Sequence, residues 1–100
     1  MFRLSSAAQT DLIKIRYYTL KNWGSEQSKK YLSELQQAIE LLATSPEMGI
    51  KRSDVSIDAL SFSHVSHIIY YVLQRGCILV IAVLHKSMVP NHHLTNRTLK

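Results

Sequence analysis

The spacing of apolar positions changes along the chain, and each change marks a boundary between elements. Phe2 and Leu4 alternate with Arg3 and Ser5, the period-two pattern of a short strand. The period then becomes helical. Ser6, followed three residues later by Gln9, forms a candidate capping box in which each side chain satisfies an unpaired backbone N–H at the helix start. Ala8, Leu12, Ile15 and Thr19 recur at helical spacing with Tyr18 beside them, and Asp11, Lys14 and Lys21 are assigned to other faces. A first helix is therefore predicted from about Ala7 to Asn22, with Asp11 suited to the dipole of its early turns. Gly24 can adopt the left-handed conformation that ends a helix, and Ser25 can cap the next. The second helix, about Glu26 to Ala43, has a cleaner stripe of Tyr31, Leu35, Ala38 and Leu42, widened by Leu32 and Ile39. Pro46 cannot continue it.

Residues 47–58 are polar and read as a loop that exposes Lys51 and Arg52. Beyond them the pattern is β. A strand at about Leu60 to Ser63 is followed by the run His67 to Leu73, rich in β-branched and aromatic residues. Gln74-Arg75-Gly76 supplies a turn into the unbroken apolar run Cys77 to Leu84, which predicts an antiparallel hairpin. The fold class is α+β: an N-terminal strand, then a helical hairpin packed on one face of a small, mainly antiparallel sheet. Two helices cover one face only, yet Ile69, Tyr71 and Leu73 lie on one side of the hairpin and Ile68, Tyr70 and Val72 on the other. An uncovered apolar face, a mark of an interaction site, is expected.

One hundred residues with 46% hydrophobic content suit a single domain spanning 1–100, with about 90–100 as a flexible or partner-ordered tail. No apolar run is long enough to span a bilayer and the first residues lack a signal-peptide core, so the cytoplasm is the expected location. The net charge is +5, and its distribution matters more than its sum. Asp58 is the last acidic residue, whereas Arg75, Lys86, Arg97, Lys100 and every histidine (His64, His67, His85, His92, His93) lie beyond it. Such asymmetry favours an acidic partner, and these cations are too sparse for a dedicated nucleic-acid surface. Direct nucleic-acid binding is not expected except through a complex.

Few residues suggest chemistry. There is no phosphate loop, zinc spacing or nucleophile elbow, and the adjacent His92 and His93 lack companions to complete a metal site. No metal and no cofactor are expected. Cys77 is expected to pack as a small, inert hydrophobe. His85, at a strand end, could act as a general base but is weighed against an ordinary hydrogen-bonded role.

Ser6-Ala7-Ala8, Asp11-Leu12, Tyr18-Thr19, Trp23-Gly24, Tyr31, Leu41-Leu42-Ala43, Pro46, Gly49, Ile69-Tyr70-Tyr71 and Val83-Leu84-His85-Lys86-Ser87-Met88, in this order, resemble the ParE-type toxins of the RelE/ParE superfamily. The resemblance implies a toxin of a type II toxin–antitoxin pair, neutralised by a cognate ParD-like antitoxin, with DNA gyrase as its target and inhibition by binding instead of catalysis. On this reading Ile68, Tyr70, Tyr71 and Ile81 contribute to the antitoxin contact, with only one of the two tyrosines touching it directly, and His85, Lys86, Ser87 and Met88 contribute to toxicity. The chain departs from the pattern by having no arginine around Leu60-Ser61 and Ala82 just before Val83-Leu84-His85. Two alternatives follow. One is a RelE-like, ribosome-dependent mRNA endonuclease using His85 and Lys86; the other is an antitoxin-binding module that has lost toxicity.

Overall fold

The computed structural model describes residues 1–88; the segment read as a tail, with His92 and His93, lies outside the described residues. The elements are β1 (Phe2–Leu4), α1 (Ser6–Trp23), α2 (Ser25–Thr44), a short 3-10 turn (Pro46–Met48), β2 (Ile50–Lys51), β3 (Ala59–His64), β4 (His67–Gln74) and β5 (Cys77–His85). The strands form one sheet in the order β1-β5-β4-β3-β2, with β1 parallel to β5 and every other pair antiparallel. The predicted α+β architecture is present. Strand β2 lies inside the stretch read as loop; two residues are too few to produce a period.

The helix starts differ from expectation. Ser5, not Ser6, caps α1: its hydroxyl accepts the Ala8 N–H at 3.0 Å, and Gln9 reaches back to the Leu4 carbonyl at 3.3 Å. The N-cap of α2 is Gly24, at φ 90°, and Ser25 is the first helical residue. Asp11, assigned to an outer face, is buried because its carboxylate accepts the Val83 N–H at 3.0 Å. Strand β1 ends opposite Val80, so β5 continues past its neighbour with an open edge. Ser5 donates its N–H to the Val80 carbonyl and its hydroxyl to that of Ile81, and Asp11 then takes the Val83 N–H. The first turns of α1 thereby satisfy the backbone groups that β1 leaves unpaired.

The helix-side core joins Ala8 and Ile15 of α1, Tyr31, Leu35, Ala38, Ile39 and Leu42 of α2, and Ile69, Tyr71, Ile78, Val80 and Val83 of the sheet. Between α1 and α2 the hydroxyls of Thr19 and Ser28 meet at 2.8 Å, a buried polar pair that is satisfied. The register of β4 against β5 slips between Tyr70, opposite Ala82, and Tyr71, opposite Val80. Ile81 is the extra residue of this bulge, and Ile81 and Ala82 therefore share the second face while Val80 and Val83 share the helix side.

That second face is not uncovered. Tyr70, Val72, Leu79, Ile81, Ala82 and Leu84 form a buried cluster, and Val55 and Ile68 pack against it. Over Tyr70 the cause is visible: the 52–58 segment turns back, with the Arg52 Nε–H donating to the Asp54 carboxylate at 3.0 Å and the guanidinium centred 5.3 Å from the Tyr70 ring.

Candidate functional site

A cleft of about 480 Å³ opens where α1 crosses the end of β5, lined by Lys14, Tyr18, His67, Leu84, His85 and Met88 among others. Helix α1 brings Lys14 and Tyr18 to it because they are four residues apart and share a face. Strands β4 and β5 bring His67 and His85, which pair directly across the sheet with ring centroids 5.5 Å apart. After β5 the chain turns, the Met88 N–H bonding the His85 carbonyl, and this turn returns Ser87 and Met88 to the cleft wall.

The two histidines differ in environment. His67 is buried, and its Nδ1 lies 2.6 Å from the Tyr31 hydroxyl. Burial, followed by the proximity of His85 and His64, lowers its pKa from 6.5 to about 4. It is neutral at physiological pH. His85 Nδ1 accepts the Ser87 N–H at 3.1 Å and meets the Ser87 hydroxyl at 2.8 Å. One ring nitrogen of His85 is therefore committed to its own turn. Around this pair an aromatic chain runs Tyr18–Trp23–Tyr31 and on to His64 and His67, each contact between 5.3 and 6.4 Å. Tyr31 also accepts the Ser66 N–H and lies 3.3 Å from the His64 carbonyl, clamping the β3–β4 turn in which Val65 adopts φ 50°. Burial raises the Tyr31 pKa.

Of the residues expected to contribute to toxicity, His85, Ser87 and Met88 line the cleft, whereas Lys86 does not and anchors the turn through its N–H to the Ser66 carbonyl. Of those expected at an antitoxin contact, Ile68, Tyr70 and Ile81 do share a face, but Tyr70 and Ile81 are each 1% exposed and Ile68 is half-buried. Tyr71 points to the helix side, fully buried, and its hydroxyl donates to the Pro46 carbonyl at 2.6 Å. It is a core residue on the face opposite Tyr70. Cys77 is half-buried at the start of β5, with Gln74 Oε1 3.8 Å from its sulfur. Among the described residues no three or more His, Cys, Asp or Glu side chains are grouped to hold a metal, and no helix is long and apolar enough to cross a membrane.

Sequence reasoning missed Lys14, Tyr18 and His67 as cleft residues, although Lys14 and Tyr18 carried a usable signal in their spacing. It also missed Arg52. The β3 strand has no arginine of its own, yet the Arg52 guanidinium reaches the Ser61 hydroxyl at 3.4 Å while pairing with Asp54 at 2.9 Å. Asp54 is held below the usual carboxylate range chiefly by that hydrogen bond. A cation thus occupies the neighbourhood of Leu60-Ser61, delivered from a loop.

The family model of the ParE toxin of the type II toxin–antitoxin system parDE matches residues 2–90. Toxin ParE1 of Caulobacter vibrioides is 36% identical over 93 residues, covering 93% of this chain and 96% of that protein. Toxin ParE1 of Mycobacterium tuberculosis is 36% identical over 94 residues with the same coverage, and Toxin ParE of Escherichia coli is 33% identical over 87 residues, covering 85% of this chain and 84% of its own length. A solved structure of the chromosomal ParDE system from P. aeruginosa superposes with a TM-score of 0.74 at 13% identity, over 84% of this chain and 92% of the other. At that identity the likeness is one of fold.

Proposed function

The chain belongs to the ParE toxin family of type II toxin–antitoxin systems, and from that premise we propose that it acts in the cytoplasm by binding and inhibiting DNA gyrase until a ParD-type antitoxin neutralises it. Inhibition is by contact and not by catalysis. The observation that carries this choice over RNA cleavage is the state of the cleft: His67 is neutral and bonded to Tyr31, His85 is tied to Ser87, and no arginine is among the described residues that line it. Cleavage by an RNA 2′-OH needs a base, an acid and charge stabilisation at the phosphate. The toxicity segment is then His85, Ser87 and Met88, with Lys86 exposed beside them. Ile68, Tyr70 and Ile81 remain the proposed antitoxin contacts, and a partner reaches the Tyr70 ring only by displacing Arg52 from it.

A second reading, mRNA cleavage on the ribosome, has one observation in its favour, since Lys14 and His85 line the same cleft. Induction in bacterial cells with and without the antitoxin tests the proposal. Growth arrest with relaxed plasmid DNA, relieved by the antitoxin, supports it. Arrest with codon-positioned mRNA cuts favours the second reading, and no arrest favours the detoxified module.

A further inference from the structure

The hydrogen bonds around the two cleft histidines fix where each ring carries its proton. A backbone N–H can only donate, so the Ser87 N–H, at 3.1 Å, makes His85 Nδ1 an acceptor and leaves the ring proton on Nε2. The Tyr31 hydroxyl already accepts the Ser66 N–H, and its own proton goes to the nearer acceptor, His67 Nδ1 at 2.6 Å against the His64 carbonyl at 3.3 Å. That distance is short for an N–H donor and ordinary for an O–H donor. His67 therefore also carries its proton on Nε2. Both residues line the cleft, and their paired positions on β4 and β5 set the ring centroids 5.5 Å apart. Among the described residues the sealed-off ring nitrogen without a partner is His64 Nε2, whereas the Nε2–H groups of His67 and His85 are reached from the cleft.

The cleft wall thus offers donors: two imidazole N–H groups, the Lys14 ammonium and the Tyr18 hydroxyl. Its carboxylate, Asp11, is buried and accepts the Val83 N–H. Donors that face one cavity suit an oxyanion, because hydrogen bonds to a charged acceptor are the strong ones. A phosphate backbone is held by several cations, and here Lys14 is the single cation in the described lining, with Asp11 near it. The charge matches a monoanion, and Leu84 and Met88 supply apolar wall for the stem that carries it. We propose that this cleft is a carboxylate-binding site, in which the His67 and His85 Nε2–H groups and Lys14 hold the acidic side chain of a protein target. That the target bears the carboxylate rests on the function proposed above; the donor set does not.

The test is NMR of the full chain with 15N-labelled histidine at about pH 8, above the ordinary histidine range. Both rings should carry the proton on Nε2. Sodium butanoate, at constant ionic strength, should shift both Nε2–H signals saturably; butanamide should not, and inorganic phosphate should bind more weakly. His85→Phe should weaken butanoate binding by about tenfold, the loss of one charge-assisted bond. Lys14→Gln should weaken it by about twofold to fivefold, the share of an exposed ion pair. Gyrase inhibition should weaken in both variants. A proton on Nδ1 of either ring overturns the donor set, with no variant needed, and so does an absent response to butanoate or an equal one to butanamide. Tighter binding of phosphate overturns the carboxylate and gives the cleft to a nucleic acid. Inhibition unchanged in variants that no longer bind butanoate overturns the target as its bearer. A wild-type chain that binds butanoate but leaves gyrase untouched supports the site while defeating the function proposed above.

Discussion

Replacing Gly49 by alanine should destabilise the protein even though the backbone there welcomes any residue. Gly49 sits at φ −76° and ψ 162°, ordinary extended geometry. Removing a glycine from such a position ordinarily stabilises by about 0.4–1 kcal/mol, because the unfolded chain loses freedom. Here the added Cβ would collide with the Tyr71 hydroxyl, and would lie 2.7 Å from Cζ and 3.0 Å from Cε1 of the same ring. Tyr71 is fully buried and bonded to the Pro46 carbonyl, so the ring has little room to withdraw. Overpacking costs about 1–3 kcal/mol, and loss of the Tyr71–Pro46 bond about 1 kcal/mol more. Set against the gain from chain entropy, the net loss is about 2 kcal/mol, a fall in melting temperature of about 8–16 °C for a domain of this size. Tyr71→Phe alone should cost about 1 kcal/mol by removing the hydroxyl that donates to the Pro46 carbonyl, which keeps the Gly49 N–H. In the double variant the colliding oxygen is gone but Cζ remains too close, so the two losses should add to less than their sum, by about 1 kcal/mol. Thermal and urea unfolding of the four proteins measures this cycle. A neutral or stabilising Gly49→Ala, or strict additivity, would refute the reasoning.

Three further outcomes are expected. His67 has a folded pKa of about 4 against 6.5 unfolded, so the native state binds the proton less readily than the unfolded chain. Its contribution is complete above pH 6.5 and is lost as pH falls toward 4, by about 3 kcal/mol at most; urea midpoints across that window should fall less steeply in His67→Gln. Val65 adopts φ 50°, a conformation that costs a β-branched residue about 1–2 kcal/mol, so Val65→Gly should melt no lower than wild type, and Val65→Asn higher. Asp11→Ala removes the acceptor for the Val83 N–H and should lower stability by about 1.5–3 kcal/mol in urea unfolding, whereas Lys14→Ala, at an exposed position, should leave it unchanged.

The legible parts of this protein were those with a period. The α2 stripe of Tyr31, Leu35, Ala38 and Leu42 is buried as its spacing requires, and the hairpin turns at Arg75-Gly76, where Gly76 takes φ 74°. What was not legible depends on single contacts between distant residues. Asp11 looked like a surface carboxylate because its partner, the Val83 N–H, is 72 residues away. The bulge at Ile81 is invisible in an unbroken apolar run, and it decides which side chains share a face. The 52–58 segment has the composition of a solvated loop, yet Arg52 lies over Tyr70 and Val55 packs against the cluster that contains it, so the face expected to be open is covered there. The motif residues Pro46 and Gly49 were recognisable as a pattern without a reason; Tyr71 supplies the reason. The cleft is half-legible, through His85 and the residues after it, while Lys14 and Tyr18 lie on a side of α1 that its core stripe does not mark.

The proposed inhibition of gyrase by contact is tested most directly by a supercoiling assay with purified gyrase and relaxed plasmid. The chain should inhibit supercoiling in a dose-dependent way, prior addition of the antitoxin should restore it, and His85→Gln should weaken inhibition without abolishing it. Undiminished supercoiling in the presence of excess chain, from a preparation that arrests growth when expressed, would contradict inhibition of gyrase by contact.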